Sequence, residues 1–260
     1  MTAPLSPASL PASAFFYPQW PVPAQVQSVC TTRQGGVSAP PYHSLNLGTH
    51  VGDDALCVQQ NRQLLQQALG AKPVFLDQVH DTRIETLSPA TPDGLQADGA
   101  ITQHAGLACT VMVADCLPVL MCNRQGTQVA AVHAGWRGLA GGVLEAAIKE
   151  FAPLQAADLL LWLGPCIGPQ AFEVGGEVRA AFVQHQAQAD TCFTPSAQGK
   201  WLANLSCLAR LRLASIGLSP NQVYGNDGSA AWCTVSNDSV FFSHRRDRIS
   251  GRQAACIWLV

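Results

Sequence analysis

The chain has 260 residues, of which 48% are hydrophobic and 12% are charged, so it has enough apolar side chains to bury a core of its own. Its formal net charge of -2 excludes a general positive field that would attract nucleic acid or an anionic membrane. No apolar run approaches the roughly 20 residues of a membrane-spanning helix, and we expect a cytoplasmic protein that binds neither nucleic acid nor membrane.

The sequence predicts one domain behind a short flexible segment. Residues 1–14 are rich in proline, alanine and serine, a composition typical of termini that do not pack. Residues 15–260 contain no linker-like tract and no internal repeat, so we expect them to form a single domain, as a monomer or a weak dimer. The ten cysteines lie mostly inside apolar runs and include no C-x-x-C pair, and we expect them to be reduced.

Helix and strand signals alternate along the rest of the chain. Asp53 or Asp54 can cap a helix that runs to about Leu69 and ends at Gly70. Short apolar segments bounded by Gly, Pro, Asp or Asn are typical of buried strands, and they cover 72–79, 108–114, 118–122, 128–133 and 159–163. Apolar residues at helical spacing predict helices at 144–151, 174–182 and 203–216, and further apolar segments predict strands at 240–242 and 254–260. Strands in runs, joined partly by tight turns and partly by helices, predict an α+β protein with a mixed β-sheet.

Three residues of metal-binding type lie at the ends of apolar segments: His80, Cys116 and His133. Each ends or closely follows a predicted strand, from which its side chain can project into a shared cleft. Two neutral imidazoles and one thiolate form a three-ligand zinc set that leaves the fourth position for water or substrate, as in catalytic zinc sites. A single histidine or cysteine of this kind is more often a packing residue, but the common placement of all three favours hydrolytic or group-transfer chemistry.

Other polar residues are candidates for contacts with a substrate. Arg137 precedes a helix expected to begin two residues later, so its guanidinium and the first free N–H groups can hold a phosphate or carboxylate, although a surface salt bridge explains it equally well. Arg33 lies beside a glycine pair that permits a backbone nest. Ser44 and Asn46 can contact a sugar or base, although capping and turn bonding explain such residues more often. The charged run 243–247 can line the same cleft, but a solvated strand end or an ion-pair cluster explains such a run more often.

Several of these residues belong to motifs that resemble one protein family. Two blocks are highly specific, Ala-Asp-Cys-Leu-Pro at 114–118 and His-Ala-Gly-Trp-Arg-Gly at 133–138. The shorter matches are Asn46-Leu47-Gly48, Gln78-Val79-His80, Ala97-Asp98-Gly99, Leu163-Gly164-Pro165, Phe172-Glu173-Val174-Gly175 and Arg245-Arg246-Asp247. Over residues 29–260 the chain resembles the YfiH family, which is also called the multicopper polyphenol oxidase (laccase-domain) or peptidoglycan editing factor family.

The resemblance implies a fold, a metal and a reaction. The fold is a single-domain sandwich of mixed β-sheets flanked by helices, and the metal is a zinc ion bound by His80, Cys116 and His133. The implied substrates are phosphate and purine nucleosides: phosphorolysis of adenosine, inosine, guanosine and methylthioadenosine, with adenosine deamination at the same site. Copper is less expected, because a blue multicopper oxidase needs a cluster rich in His-x-His pairs, and this chain has seven histidines and no His-x-His.

Within this reading, phosphorolysis requires phosphate to reach C1′ of the ribose while the purine leaves. Arg33 or Arg137 would orient the phosphate. Asp98, Asp115 and Glu173 are the candidates for the acid that assists the departing base, and the sequence does not choose between them.

Two rival hypotheses use the same cleft differently. In the first, Cys116 is a nucleophile with His133 as its base, and the protein is a cysteine-type amidase that edits a peptidoglycan precursor. In the second, the chain is a binding domain that alters no substrate. One experiment separates the three hypotheses. If Cys116→Ala removes bound zinc and nucleoside turnover together, the phosphorylase is favoured over both the amidase and the binding domain.

Overall fold

The computed structural model describes residues 9–153 and 155–260, which form two large β-sheets flanked by helices. The strands in these residues are β1 (Phe15–Phe16), β2 (Val26–Thr31), β3 (Lys72–Phe75), β4 (Ile84–Thr86), β5 (Gly99–Thr102), β6 (Leu107–Val113), β7 (Leu117–Asn123), β8 (Val129–Ala134), β9 (Leu159–Leu163), β10 (Glu173–Val174), β11 (Phe193–Pro195), β12 (Trp201–Ala203), β13 (Val223–Gly225) and β14 (Gln253–Leu259). The helices are α1 (Ala55–Leu69), α2 (Trp136–Gly141), α3 (Val143–Lys149), α4 (Gly176–Val183), α5 (Leu205–Ser215) and α6 (His244–Asp247). Short 3-10 turns cover Ala12–Ala14, Ala156–Asp158, Ala187–Cys192, Ala197–Gly199, Pro220–Gln222 and Ala230–Trp232. Among the described residues, none of the helices has the length and apolar character needed to cross a membrane.

The two large sheets combine strands that are distant in the chain. The first sheet has the order β1-β2-β14-β6-β3, and the second has the order β13-β9-β7-β8-β5-β4. Most neighbouring strands are antiparallel, whereas β3 with β6, β4 with β5 and β13 with β9 are parallel. A small third sheet has the order β10-β12-β11. The sheets are therefore mixed, as the sequence predicts.

Both faces of each large sheet are covered, which explains why the central strands are continuous apolar runs rather than alternating ones. In β8, Val129 and Ala131 pack between the two sheets, whereas Ala130 and Val132 pack against α3 and α5. On the far side of the first sheet, α1 buries Leu65 against β3, β6 and β14. The layers run helix, sheet, sheet, helices, which confirms the α+β sandwich that the resemblance implies.

Two predicted elements are shorter than the apolar pattern indicates. The strand predicted at 72–79 ends at Phe75, because the chain then leaves the first sheet toward the edge of the second. The helix predicted at 174–182 begins at Gly176, because Val174 pairs with β12 in the small third sheet.

The strand predicted at 240–242 is wrong. These residues form a turn and an irregular segment before α6. Side chains satisfy the backbone there: Arg246 Nη2 donates to the Phe241 carbonyl at 3.1 Å, and the Phe242 N–H donates to Gln253 Oε1 at 2.7 Å. Long side chains thus replace the neighbouring strand that the apolar run suggested.

Part of the N-terminal segment that the sequence predicts to be flexible is packed. Residues 1–8 of that segment lie outside the described residues. Ala12–Ala14 form a 3-10 turn, Ala14 is buried, and its carbonyl accepts the N–H of Thr32 at 2.8 Å. Ordered structure therefore begins before Phe15, because this turn closes one end of the first sheet.

The expectation that all ten cysteines are reduced is wrong for one pair. Cys192 and Cys207 form a disulfide, whereas the other eight cysteines are free. The N–H of Asn204 donates to the Cys192 carbonyl at 3.0 Å, which brings the start of α5 beside the end of the preceding 3-10 turn. This contact is set by tertiary packing, so the spacing of the two cysteines did not reveal it.

Candidate metal centre and its pocket

Cys116 lies in the short connection that carries the chain from β6 of the first sheet to β7 of the second. The preceding residue, Asp115, adopts a left-handed backbone with φ of 92°, which is rare for a residue other than glycine. Its buried carboxylate accepts the hydroxyl of Thr234 and the backbone N–H of Arg245, each at 2.6 Å. These bonds stabilise the sharp turn that aims Cys116 away from the strand.

The pairing of β7 with β8 brings Cys116 next to His133. Leu117 lies opposite Ala134, and Pro118 lies opposite His133. Because Cys116 directly precedes β7 and His133 is near the end of β8, both side chains lie at the same end of the second sheet. The sequence predicts this juxtaposition, and the structure confirms it.

His80 reaches the same place from the loop that follows β3. It has a left-handed backbone with φ of 64°, and the buried carboxylate of Asp98 holds the loop in this conformation. That carboxylate accepts the backbone N–H groups of Val79 at 3.2 Å, His80 at 2.9 Å and Asp81 at 2.7 Å. Three charge-assisted hydrogen bonds offset the backbone strain that His80 carries.

The same carboxylate orients the second histidine. Asp98 Oδ1 lies 2.8 Å from His133 Nδ1, so that nitrogen carries the proton and the lone pair of His133 Nε2 is left for a metal. Burial raises the pKa of Asp98, but the bonds from His133, Asp81 and His80 outweigh burial and lower it. One carboxylate therefore positions two of the three predicted ligands.

His80, Cys116 and His133 form a compact cluster. One donor atom from each lies within 4.8 Å of the others, and Cys116 Sγ is 3.8 Å from His80 Nε2. Metal–ligand distances of roughly 2.0 to 2.3 Å place tetrahedral donors roughly 3.3 to 3.7 Å apart, so the Cys116–His80 pair is already near this spacing and the set closes on one zinc ion with a shift of about 1 Å. Among the residues that the structure describes, these three are the one set of histidine, cysteine or carboxylate side chains whose geometry suits a metal ion.

The electrostatics of the cluster favour an ionised thiol. Burial opposes ionisation of Cys116, but His133 and His80 outweigh it and lower the pKa of Cys116 to about 6. Burial also opposes protonation of His133, yet Cys116 and Asp98 raise the pKa of His133 to about 9. The thiolate is the form of cysteine that binds a metal or attacks a carbonyl.

Gly135 gives the cluster the space it needs. A Cβ atom at Gly135 would lie 2.7 Å from His80 Cδ2 and 3.2 Å from Cys116 Sγ. The backbone of Gly135 has φ of -62°, which alanine also adopts, so a substitution acts through the side chain alone.

We expect Gly135→Ala to displace His80 and weaken metal binding by about 10-fold or more, as loss of support around a metal site does. Titration with zinc in competition with a chromogenic chelator measures the change. Gly176→Ala is the matched control, because Gly176 also lies at a helix start and has no atom within 4 Å of an added Cβ. Equal zinc affinity in the two variants would show that the cluster does not use this space.

The cluster opens on a cavity of about 320 Å³, a size within the range of small-molecule sites. Besides the three cluster residues, the cavity is lined by His50, Gln78, Met112, Val113, Ala114, His244 and Arg252. The cluster residues are thus exposed to a substrate rather than sealed in the core, the position expected of a catalytic metal and not of a structural one.

The structure does not bring Arg33 and Ser44 into this cavity; they line a separate one. Arg33 Nη1 donates to the Asp238 carbonyl at 2.9 Å, and its Nε donates to the His43 carbonyl at 3.1 Å. The hydroxyl of Ser44 accepts the N–H of Gly36 at 3.1 Å. Both side chains thus hold loops together, and a substrate contact for either one stays a prediction.

Asn46 and Arg137 also lie outside the lining of the cavity. Asn46 is fully buried, and its amide bonds to the loop around it. Arg137 is exposed on α2, which begins at Trp136 rather than two residues after Arg137, and its guanidinium stacks 4.4 Å from the centre of the Trp136 ring. A substrate role for these two residues is likewise still a prediction.

The three acid candidates are engaged in other contacts. Asp98 and Asp115 support the metal-site loops, and Glu173 pairs with Lys200 at 2.8 Å outside the lining of the cavity. The charged run 243–247 is not a strand end: Ser243 caps α6, Arg246 pairs with Asp247 at 2.7 Å, and the first residue of α6, His244, lines the cavity.

Sequence reasoning missed several cavity residues. His50 and Arg252 stand outside the specific motifs, and Met112 and Val113 belong to a segment that was predicted only as a buried strand. Asp98 was named only as a candidate acid and as part of the motif Ala97-Asp98-Gly99; it directly precedes β5, and no local pattern shows that it holds both His80 and His133. Gln78 and Ala114 carried a signal through their motifs with His80 and Cys116, and His244 carried one through the charged run 243–247.

Comparison with known proteins gives consistent matches over most of the chain. Residues 27–260 match the family described as Multi-copper polyphenol oxidoreductase laccase. The chain is 48% identical over 248 residues to a purine nucleoside phosphorylase of Pseudomonas aeruginosa, covering 95% of this chain and 99% of that protein. It is 48% identical over 250 residues to the purine nucleoside phosphorylase YfiH of Escherichia coli K12, covering 95% and 100% of the two chains. A crystal structure of a Neisseria meningitidis DUF152 protein superposes with a TM-score of 0.90 at 46% identity, covering 95% of this chain and 99% of that one.

Proposed function

Because the chain belongs to the Multi-copper polyphenol oxidoreductase laccase family, whose relatives include YfiH, we propose that it is a zinc-dependent purine nucleoside phosphorylase. The observation that carries the proposal is the cluster of His80, Cys116 and His133 at the end of a cavity of about 320 Å³. The proposed substrates are phosphate with adenosine, inosine, guanosine or methylthioadenosine. Deamination of adenosine is proposed at the same site.

Zinc fits this donor set better than copper does. A blue copper site adds a long axial methionine to two histidines and one cysteine. Met112 lines the cavity, but its sulfur lies 3.8 Å from Arg62 Nη2 and packs with the residues under α1. The three donors alone suit tetrahedral zinc with one position open to the cavity. A zinc ion there would supply positive charge that activates water or polarises a substrate oxygen.

The residues of the chain hold this site rigid. Asp98 fixes the tautomer of His133 and the backbone of His80 at once. Gln78 donates from Nε2 to the Met112 carbonyl and accepts the Met112 N–H at Oε1, both at 2.8 Å, so the cavity wall is fixed. A preorganised wall lowers the entropic cost of aligning a nucleoside with the reacting phosphate.

Products formed from adenosine test the proposal. We expect zinc-loaded protein with phosphate to yield adenine and ribose 1-phosphate, and without phosphate to yield inosine, both measured by mass spectrometry. Chelator-treated protein should lose both activities and regain them when zinc is restored. Unchanged adenosine from the zinc-loaded protein under both conditions would contradict the proposal.

A cysteine-type amidase acting on a peptidoglycan precursor is the second candidate, and the lowered pKa of Cys116 favours it. One sulfur does not readily bind a metal and attack a carbonyl at the same time. Under the amidase hypothesis, chelated protein should cleave the precursor amide and lose that activity when iodoacetamide alkylates Cys116. Under the phosphorylase hypothesis, zinc should protect Cys116 from alkylation, and chelated protein should cleave nothing.

A further inference from the structure

Arg252 is a cavity residue whose guanidinium is only partly used by the fold. Nη1 donates to the carbonyls of Ser250 at 2.9 Å and Gly251 at 3.0 Å. Nε and Nη2 have no hydrogen-bond partner among residues 9–153 and 155–260. These two nitrogens form one edge of the planar guanidinium, the edge that binds two oxygens of a phosphate or carboxylate side by side.

The cavity offers no carboxylate partner for this charge. Among the described residues, its lining includes no aspartate and no glutamate. Asp115, a buried acid in the turn before Cys116, is occupied by Thr234 and by the backbone of Arg245. Two exposed histidines, His50 and His244, line the same cavity and add no negative charge. The thiolate of Cys116 lines the same cavity but is the proposed metal ligand, so it does not occupy the guanidinium. A fixed cation without a carboxylate partner in such a cavity indicates an anionic ligand.

The motif Asn46-Leu47-Gly48 holds Arg252 in this position. Asn46 Oδ1 accepts the backbone N–H of Arg252 at 2.8 Å and that of Gly48 at 2.9 Å. The N–H of Leu47 donates to the Arg252 carbonyl at 3.1 Å. A Cβ atom at Gly48 would lie 2.8 Å from Arg252 Cγ, so the glycine makes room for the aliphatic stem. The motif is 206 residues away in the chain and still contacts both the backbone and the side chain of this arginine.

We propose that Arg252 binds the phosphate co-substrate through its Nε and Nη2 edge, with Asn46 and Gly48 as positioning residues. The proposal rests on the proposed function. In the reaction, a phosphate oxygen forms a bond to C1′ of the ribose as the C1′–N9 bond breaks. The electron pair of the broken bond goes to the purine, and the proton of hydrogen phosphate ends on the purine base. Ribose 1-phosphate and free base are the products, and no oxidant or reductant is needed.

Steady-state kinetics of the zinc-loaded protein test Arg252. We expect Arg252→Gln to raise the KM for phosphate by about 10-fold or more, because two charge-assisted hydrogen bonds are lost, while the KM for inosine changes by less than about two-fold. Arg252→Lys should recover part of the loss, since lysine keeps the charge but not the planar fork. Arg179→Gln is the control for charge loss, because Arg179 pairs with Asp190 outside the cavity.

Gly48→Ala tests the positioning role. We expect it to raise the KM for phosphate while zinc content and the KM for inosine stay as in the wild type, a split that general misfolding would not produce. Circular dichroism and zinc content confirm that each variant is folded. An unchanged phosphate KM in folded Arg252→Gln, or a rise only in Arg137→Gln, would overturn the proposal and leave the proposed function intact.

Calorimetric titration with inorganic phosphate, without nucleoside, separates the two proposals. Phosphate binding that is present in the wild type and lost in Arg252→Gln supports the anion site, even for a protein that turns over no nucleoside. If the wild type converts nucleoside with phosphate and Arg252→Gln binds phosphate as tightly as the wild type does, only the role of Arg252 is contradicted. A wild type that neither binds phosphate nor converts nucleoside overturns both.

Discussion

Replacing Cys116 with alanine is expected to remove the bound metal and nucleoside turnover together. The thiolate is one of three protein ligands, and two histidines alone leave a zinc ion without its anionic donor. We expect the zinc content to fall from about one ion per chain to near zero, and turnover to fall by at least about 100-fold. Inductively coupled plasma mass spectrometry and a nucleoside assay measure the two quantities on one preparation.

Cys57→Ala is the matched control for Cys116→Ala. Cys57 is a free cysteine of intermediate exposure on α1, and it lies outside the lining of the cavity. It should keep both zinc and activity. A Cys116→Ala protein that keeps its zinc while it loses turnover would show that Cys116 is not needed to bind the metal, and would contradict the proposed zinc site.

The second large effect is expected from Asp98→Asn. The carboxylate accepts three backbone N–H groups and the Nδ1–H of His133, and an amide cannot accept all four because its nitrogen is a donor. At least one buried donor then loses its partner, which costs about 1–3 kcal/mol of unfolding free energy. Because His80 and His133 both lose support, we expect zinc affinity to fall about 10- to 100-fold.

Urea unfolding and zinc titration measure the two consequences of Asp98→Asn. Asp190→Asn is the control, since Asp190 is a half-exposed partner of Arg179 and such surface pairs contribute about 0–1 kcal/mol. Wild-type zinc affinity in a folded Asp98→Asn protein would show that the histidines are positioned by other contacts.

Elements with local signals could be predicted from the sequence. For α1, the carboxylate of Asp54 accepts the N–H of Leu56 at 2.7 Å, and Gly70 ends the helix with φ of 62°, as the residue types indicate. The β9 strand was predicted with its observed limits, because a fully covered strand is an unbroken apolar run bounded by polar residues.

Elements fixed by distant contacts could not be predicted in this way. β3 ends at Phe75, short of the predicted limit at residue 79, because the following loop is held by Asp98, which lies 18 residues after His80. Segment 240–242 is apolar, yet Arg246 and Gln253 satisfy its backbone.

In the candidate site, too, residues placed by local contacts could be predicted and residues placed by distant contacts could not. Cys116 and His133 could be placed together, because a short connection and a tight antiparallel pairing bring them to one sheet end. His80 was placed by a strand predicted to run to residue 79, whereas β3 ends at Phe75, five residues earlier, and a loop held by Asp98 brings His80 to the cluster. Arg252 had no local signal, since its position depends on Asn46 and on the path of the last strand.

The central claim is that His80, Cys116 and His133 bind one zinc ion, and X-ray absorption at the zinc edge tests it most directly. Protein purified without added metal should contain about one zinc per chain. Its spectrum should show two nitrogen ligands at about 2.0–2.1 Å and one sulfur ligand at about 2.3 Å. A protein without zinc, or a spectrum without a sulfur ligand, would contradict the account.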